Sequence, residues 1–278
     1  MTTLQGHVSA VRALALSSVE VTSPGSDQQV LLFSGGGRAE LKAWRVHCDV
    51  SDAPSSRVWY EQLASLNINS RQLHATRKPW RKSHEQNVEP ETRCMALACF
   101  RLASDVTRHC VIAACSDASV RCFLFDERHR KFEVVFASGF HEHCVLRVST
   151  VTCDDVTLAL TAATDGRVAI WNMNQILQRH FSSTQNSADV TANVTSPSLS
   201  VSCHQSGINA LDVTAFKPEV SDNATSGCVR VVTGGDDGCL CVSEVVFAAD
   251  SSDGLHIRRQ AYQLNAHAAQ ITGLPTYC

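Results

Sequence analysis

Apolar residues alternate with others on both sides of an Asp-Gly pair in the stretch TAATDGRVAIWNM, Thr161–Met173. Val168 and Ile170 are separated by Ala169, which is the period of a β-strand with two packed faces. An Asp-Gly pair between two such runs predicts a β-hairpin with a two-residue turn, in which both turn residues need a positive φ. The stretch therefore predicts two adjacent antiparallel strands.

This pattern recurs along the chain. The Asp of the pair, Asp165, aligns with Asp237, with Asp117 and, in the first copy, with Arg38 in place of Asp. A Ser or Thr stands four residues before this turn position in three copies, and a Trp stands six residues after it in two copies: Ser34, Thr161, Thr233, Trp44 and Trp171. The hairpin is therefore one copy of an internal repeat.

A histidine opens most copies of the repeat. His7, His141, His204 and His267 are each followed four residues later by Val or Ile, and the last three lie 63 residues apart. The gap after His7 is about two such periods, and a copy without histidine begins near Glu91, in PETRCMALACF. Each copy holds about four strands that cannot bury both faces alone, so the copies are expected to stack on one another.

The polar residues of each copy suit a buried hydrogen-bond network. The Asp carboxylate can accept bonds from the His ring and from turn amides, and the Ser/Thr hydroxyl and Trp indole can extend the chain of bonds. Regular spacing favours this structural role over catalysis or metal binding. The expected network residues are His7, Ser34, Trp44, Asp117, His141, Thr161, Asp165, Trp171, His204, Thr233, Asp237 and His267.

The order His, Ser/Thr, Asp-Gly and Trp-Asn resembles the WD-repeat signature, which implies an all-β fold, a β-propeller of four-stranded blades. Four blades and the start of a fifth are expected, an incomplete ring that we interpret as a fragment. The expected divisions of the single domain 1–278 are blades at 4–66, 91–138, 141–203 and 204–266, and a truncated blade at 267–278.

Particular strings, spread over nearly the whole chain, resemble one family more closely: TLQGHVSAVRALAL, SGGGRAELKAW, PETRCMALAC, AACSDASVRCFL, SPSLSVSCHQSGINAL and AHAAQITGL. This is the family of WD-repeat regulatory subunits of tRNA ribose 2′-O-methyltransferases, and the similarity is to its C-terminal region. The resemblance implies a non-catalytic scaffold that positions tRNA while a partner methyltransferase modifies the wobble ribose. Its expected partners are that enzyme and tRNA.

Composition narrows the choice of binding mode, cellular compartment and cofactor. The formal net charge of −3 excludes a polyanion-binding field over the whole molecule, so RNA contact needs a local patch. The 13 cysteines form no Cys-x-x-Cys pair and lie mostly in apolar runs, which indicates a reducing compartment. No apolar run approaches the roughly 20 residues of a membrane span, and the chain is predicted to be cytoplasmic. His141–Cys144, HEHC, lacks further spaced ligands, so neither a metal nor another cofactor is predicted.

Three inserts lengthen the repeat, and the shortest of them is KPEVSDNATSG. The segment 71–86, RQLHATRKPWRKSHEQ, is basic, and its cations could pair with phosphates while its Trp stacks on an unpaired base. The alternative is a solvated loop whose Trp packs on its own blade. The insert Phe181–Ser198 has the composition of a flexible surface loop. The candidate RNA- or partner-binding residues are Arg71, Arg77, Lys78, Trp80, Arg81 and Lys82.

Two other functions compete with the scaffold for tRNA methylation. An enzyme with a site in the central channel would need polar residues at the inner strand ends, but VRALAL, VLRVST and INALDV are mostly aliphatic. No catalytic sequence motif is present, so we expect no enzyme. A generic WD-repeat adaptor, such as a ubiquitin-ligase substrate receptor or a kinase adaptor, would show the same repeat.

Overall fold

The computed structural model describes residues 5–17, 28–48, 58–69, 92–184, 193–216, 226–248 and 254–273. These ranges form four sheets, each built on four antiparallel blade strands, and the sheet of blade 2 gains a fifth, parallel strand. Blade 1 holds β1 (Val11–Ser17), β2 (Gln28–Gly36), β3 (Glu40–Cys48) and β4 (Val58–Asn67). Blade 2 holds β5 (Cys94–Arg101), β6 (Arg108–Cys115), β7 (Val120–Asp126) and β8 (Lys131–Ser138).

Blades 3 and 4 follow the same plan. The sheet of blade 3 holds β9 (Val145–Cys153), β10 (Val156–Ala163), β11 (Arg167–Asn172) and the outer strand β13 (Leu199–Ser202). Helix α1 (Met173–Thr184) and the short strand β12 (Asn193–Val194) lie between β11 and β13 in the chain. Blade 4 holds β14 (Ile208–Ala215), β15 (Ser226–Gly235), β16 (Leu240–Ala248) and β17 (His256–Gln263).

The four blades are arranged as in a β-propeller. The inner strands of the four blades lie side by side in the order β1, β5, β9 and β14. The described residues do not close a ring, and 264–273 continue past blade 4 along its hairpin, where the Ile271 N–H donates to the Gly235 carbonyl at 3.2 Å. The prediction of an all-β WD-repeat propeller with an incomplete ring is confirmed.

Among the described residues, the hydrophobic core consists of three layers, each shared by two neighbouring blades. The layer between blades 1 and 2 is aromatic, with the Phe33 and Phe125 rings edge to face at 5.5 Å. In the layer between blades 2 and 3 the Phe136 and Trp171 rings are stacked at 5.4 Å. Each buried aromatic contributes on the order of 1.5–3 kcal/mol by burial, so neighbouring blades stabilise one another through these layers.

Cysteines contribute to these layers as small apolar residues. The twelve cysteines within the described ranges are free thiols. Burial raises the pKa of Cys99 and of Cys115 to about 12 in each case. Such thiols stay protonated at neutral pH and behave as hydrophobic side chains.

The Asp-Gly turns differ from the predicted two-residue type. Gly166 and Gly238 have φ of 76° and 68°, but their preceding aspartates do not have positive φ. The Gly166 N–H donates to the Ala163 carbonyl at 3.2 Å, so the turn includes Thr164 as well. The prediction of positive φ at both residues is wrong, because the Asp165 side chain bonds the Arg167 N–H at 3.0 Å in an Asx-turn that needs an ordinary φ.

The insert after β11 is also more ordered than predicted. Helix α1 begins after Asn172, whose side-chain oxygen accepts the Gln175 N–H at 3.2 Å as an N-cap. Its apolar face, which includes Ile176 and Leu177, packs into the layer between blades 2 and 3. Farther along, β12 pairs in parallel with β8 on the outer edge of blade 2. The prediction of a flexible loop is therefore wrong for the helical 181–184 and for β12, while 185–192 lie outside the described residues.

Helix α1 has 12 residues. In the described ranges no helix has the length and apolar character required to cross a membrane.

Candidate functional site

Blade 3 contains a complete polar network of four side chains. The Trp171 indole N–H donates to Thr161 Oγ1 at 3.0 Å, and Thr161 Oγ1 lies 3.0 Å from His141 Nε2. His141 Nδ1 lies 3.0 Å from Asp165 Oδ2, and the carboxylate can only accept. His141 therefore donates from Nδ1 and accepts the Thr161 hydroxyl proton at Nε2. All four groups are satisfied by one another.

The charge of Asp165 is stabilised in this network. Burial opposes its ionisation, but the hydrogen bonds from His141 and from the N–H groups of Arg167 and Glu142 outweigh burial and lower the pKa of Asp165. Blade 4 repeats the arrangement, with His204 Nδ1 at 3.0 Å from Asp237 Oδ1 and His204 Nε2 at 2.9 Å from Thr233 Oγ1. Both carboxylates are thus held as anions at neutral pH.

The position of Trp in blade 4 is occupied by Ser243. Its hydroxyl lies 3.7 Å from Cys241 Sγ, and the Gln260 amide lies 3.4 Å from the same sulfur. In blade 4 the Thr233 hydroxyl therefore has no indole partner at this position.

Blade 1 uses a carboxylate that the aligned repeat did not identify. His7 Nδ1 lies 3.2 Å from Glu40 Oε2, and the Val8 N–H donates to the same oxygen at 3.2 Å. Ser34 Oγ joins the His7 ring at 2.7 Å to the Trp44 indole N–H at 2.7 Å. Arg38, the aligned residue, is exposed at the turn. Burial lowers the pKa of His7 despite the opposing effect of Glu40, so this ring is neutral.

Blade 2 satisfies Asp117 without a histidine. The Thr92 hydroxyl donates to Asp117 Oδ2 at 2.9 Å, and Arg121 donates to the same oxygen at 2.6 Å. Arg121 is only 2 % exposed and also bonds the Ile68 carbonyl of the preceding blade. Burial opposes ionisation of Asp117, but Arg121 and the hydroxyls lower the pKa of this carboxyl. A buried ion pair thus replaces the His and links blades 1 and 2.

His267 begins the fifth copy of the repeat. Its imidazole is exposed, and its backbone N–H donates to the Gly238 carbonyl at 3.1 Å. A Cβ at Gly238 would lie 2.3 Å from the His267 carbonyl oxygen, so this close approach requires glycine. The backbone N–H of His204 makes the same bond to the Gly166 carbonyl of blade 3 at 3.1 Å, so His267 is held against blade 4 in the same way, while its imidazole is exposed.

A second polar network crosses between blades 1 and 2 at the opposite end of the strands. Ser17 Oγ lies 2.8 Å from His109 Nδ1, and His109 Nε2 lies 2.7 Å from Glu127 Oε1. Arg45 donates to Glu127 at 3.1 Å. The hydrogen bond from His109 lowers the pKa of Glu127, with a further contribution from Arg45.

The Ser17, His109 and Glu127 side chains have the composition of a hydrolase triad. Ser17 is 3 % exposed and His109 is 1 % exposed, however, so a substrate cannot reach the hydroxyl. The trio acts as a polar lock between two blades, and repeat alignment did not find it because its members come from non-equivalent positions. Within the described ranges, no three His, Cys, Asp or Glu side chains are grouped to hold a metal ion.

The basic segment predicted to contact RNA or a partner cannot be placed against these networks. All six of its candidate residues lie outside the described residues: Arg71, Arg77, Lys78, Trp80, Arg81 and Lys82.

Comparison with curated proteins points to one kind of regulator. The chain is 29 % identical over 296 residues to "tRNA (34-2'-O)-methyltransferase regulator WDR6" of Bos taurus, which covers 99 % of this chain and 25 % of the relative. The protein of the same name in Homo sapiens is 28 % identical over 296 residues, and that in Mus musculus is 30 % identical over 302 residues. The chain thus spans about a quarter of these relatives, and the resemblance seen in the sequence is confirmed.

Solved structures give a further comparison. The WD40 repeats of RRP9 match with a TM-score of 0.43 and 14 % identity, over 91 % of this chain and 54 % of that one. Sqt1 of Chaetomium thermophilum, bound to the N-terminus of ribosomal protein L10, matches with a TM-score of 0.48 and 14 % identity, over 97 % and 66 %. No family model matches the chain.

Proposed function

We propose that this chain is part of a non-catalytic WD-repeat subunit that positions tRNA for 2′-O-methylation of the wobble ribose by a partner methyltransferase. The observation that carries the proposal is the similarity over 99 % of the chain to regulators of tRNA (34-2'-O)-methyltransferase. Its partners are that methyltransferase and tRNA, and the methyl transfer belongs to the enzyme.

The polar networks support a scaffold role. The His, Thr and Asp side chains of blades 3 and 4 use their hydrogen-bonding capacity on one another. A catalytic base must reach a proton of the substrate, and these imidazoles are buried within blades. The same holds for the Ser17, His109 and Glu127 lock. These groups stabilise the blades and leave the outer surfaces for binding.

The first experiment measures 2′-O-methylation of tRNA nucleotide 34 in cells that lack the gene encoding this chain. We expect the mark to be lost while the methyltransferase stays at its normal level, and to return when the whole gene is restored. An unchanged mark would overturn the proposal. It would favour a generic adaptor, such as a ubiquitin-ligase substrate receptor or a kinase adaptor.

We further propose that the basic segment contacts tRNA phosphates. Arg77→Gln with Lys78→Gln should weaken tRNA binding by the whole protein and reduce the salt dependence of that binding by about one unit of slope per lost phosphate contact. The matched control is Arg258→Gln with Arg259→Gln on β17, where both side chains are exposed. Equal effects of the two double variants would show a non-specific charge effect and contradict the proposal.

A further inference from the structure

Blade 1 carries a large aromatic side chain that is half exposed. Trp59, near the start of the outer strand β4, is 52 % exposed. It pairs across the strands with His47 of β3, and the two rings lie parallel, with centroids 3.4 Å apart and an interplanar angle of 8°. One face of the indole is therefore covered by the imidazole, and the solvent-exposed surface of Trp59 lies on the rest of the ring.

The stack fixes the orientation of the indole. His47 is buried, so the imidazole forms a rigid base beneath Trp59. A surface tryptophan without such a base would have to lose side-chain freedom when a ligand stacked on it, which weakens binding. Here the ring is already held flat, with an open face parallel to the covered one.

Charged groups of both signs lie along the same face as Trp59. Residues two apart on a strand point to the same side, so Glu61 follows Trp59 on this face. Glu61 pairs with Arg45 across the strands and bonds Arg130 of blade 2 at 2.6 Å. The Arg130 side chain is 49 % exposed, and its guanidinium has donors beyond the one used by Glu61.

We propose that Trp59, stacked on His47, is a platform for an unpaired nucleotide base of RNA. An open indole face accepts any base by stacking, and a flanking arginine can bond the ribose or phosphate of the same nucleotide. This inference rests on the proposed function in tRNA modification. It places a base contact on blade 1, on residues other than those of the basic segment.

The surroundings of Trp59 favour a base over a protein partner. Protein hot spots are rich in Trp, Tyr and Arg, and they cluster in well-packed pockets near the centre of an interface. Around Trp59 the chain neighbour Val58 is exposed, but the groups further along the face are the charged Glu61, Arg45 and Arg130. A single flat aromatic ring among charges matches one base with its sugar and phosphate.

The test compares aromatic and aliphatic replacements. Binding of a synthetic anticodon stem–loop RNA to the whole protein is measured by fluorescence anisotropy. Trp59→Leu keeps an apolar cover over His47 but removes the ring, and we expect it to weaken binding about 5- to 150-fold. Trp59→Phe should retain most of the affinity. The loss should not depend on salt concentration, because stacking releases no counterions.

Tyr262 provides a matched control. It is 50 % exposed and lies on the outer strand β17 of blade 4. Tyr262→Leu should leave RNA affinity unchanged. Each variant is checked by its thermal unfolding midpoint, and Trp59→Phe covers the case in which the Leu variant does not fold.

Three results would overturn the platform. These are equal affinity of the Leu and Phe variants, no binding of the stem–loop by any form of the protein, and loss of methyltransferase binding by Trp59→Leu with RNA binding intact. The last would identify a protein contact. The proposed function is judged separately by methylation of nucleotide 34 in cells lacking the gene, so the platform can fail while that function stands.

Discussion

Glu40 and Ala118 show how single residues replace missing members of the repeat. Glu40 stands two positions after the turn slot held by Arg38, yet its longer side chain reaches His7 and Val8 as Asp165 reaches His141 and Glu142. Ala118 occupies the glycine position of the turn with a φ of 68°. The first change keeps the hydrogen bonds, whereas the second imposes backbone strain.

Removal of Glu40 should destabilise blade 1. Glu40→Ala leaves the His7 ring and the Val8 N–H without their acceptor, and we expect a loss of about 1–3 kcal/mol in the free energy of unfolding. Arg38→Ala removes an exposed side chain and should change it by less than about 0.5 kcal/mol. Urea unfolding of both variants measures the difference. A larger effect of Arg38→Ala would show that the aligned position matters more than the observed contact.

Ala118→Gly should stabilise the chain. An alanine in the left-handed region costs about 1–2 kcal/mol in the folded state. Glycine removes this strain, but the greater entropy of its unfolded chain cancels part of the gain. We expect a net gain of about 0.5–1 kcal/mol in urea unfolding. Ala113→Gly, in the extended strand β6, makes the same chemical change without strain to relieve. Because its methyl group is also buried in the layer between blades 1 and 2, we expect it to destabilise by about 1–2 kcal/mol. Destabilisation by both would refute the strain argument.

Helix α1 marks the limit of what the repeat could predict at the scale of elements. The strands of each blade follow from alternation and turns, because those signals are local. Helix α1 carries a local signal too, since Asn172 caps it and Met173, Ile176, Leu177 and His180 share one face. The Ser-, Thr- and Asn-rich composition of the following insert obscured that period. The parallel pairing of β12 with β8 joins distant residues and has no local signal.

The buried face of α1 should carry its stability. Leu177→Ala leaves a cavity in the layer between blades 2 and 3 and is expected to cost about 2–5 kcal/mol. Gln178→Ala, on the exposed face, should cost less than about 0.5 kcal/mol. Hydrogen exchange of the α1 amides reports the change. Equal protection of these amides in both variants would show that the helix is held elsewhere.

Across the whole molecule, the candidate sites were less predictable than the blades. Polar networks follow the repeat in blades 1, 3 and 4, but the lock of Ser17, His109 and Glu127 forms only when two blades pack together. Trp59 belongs to no repeat position, and its pairing with His47 depends on the register of β3 and β4. Sites of this kind require coordinates, because their members share no sequence period.

The buried carboxylates should make stability depend on acid pH. The pKa values of Asp117, Asp165, Asp237 and Glu127 are lowered in the folded chain. Their contribution is complete above the unfolded pKa of about 4 and is lost as the pH falls through the folded pKa. The urea midpoint should therefore fall as the pH is lowered below about 5. Asp165→Asn should be less stable at pH 7 and show a shallower dependence, whereas a midpoint that rises on acidification would contradict this account.

The pairing of β12 with β8 has a consequence for synthesis on the ribosome. Strands β5 to β8 can form a sheet once residue 138 is outside the exit tunnel, but Phe136 and Ala137 on its outer edge are paired only when Asn193 and Val194 emerge. Until then the nascent chain presents an open strand edge, to which other polypeptides can add. Blades 2 and 3 are thus completed together during translation, and a pause between these two points would extend the period in which chaperones are needed.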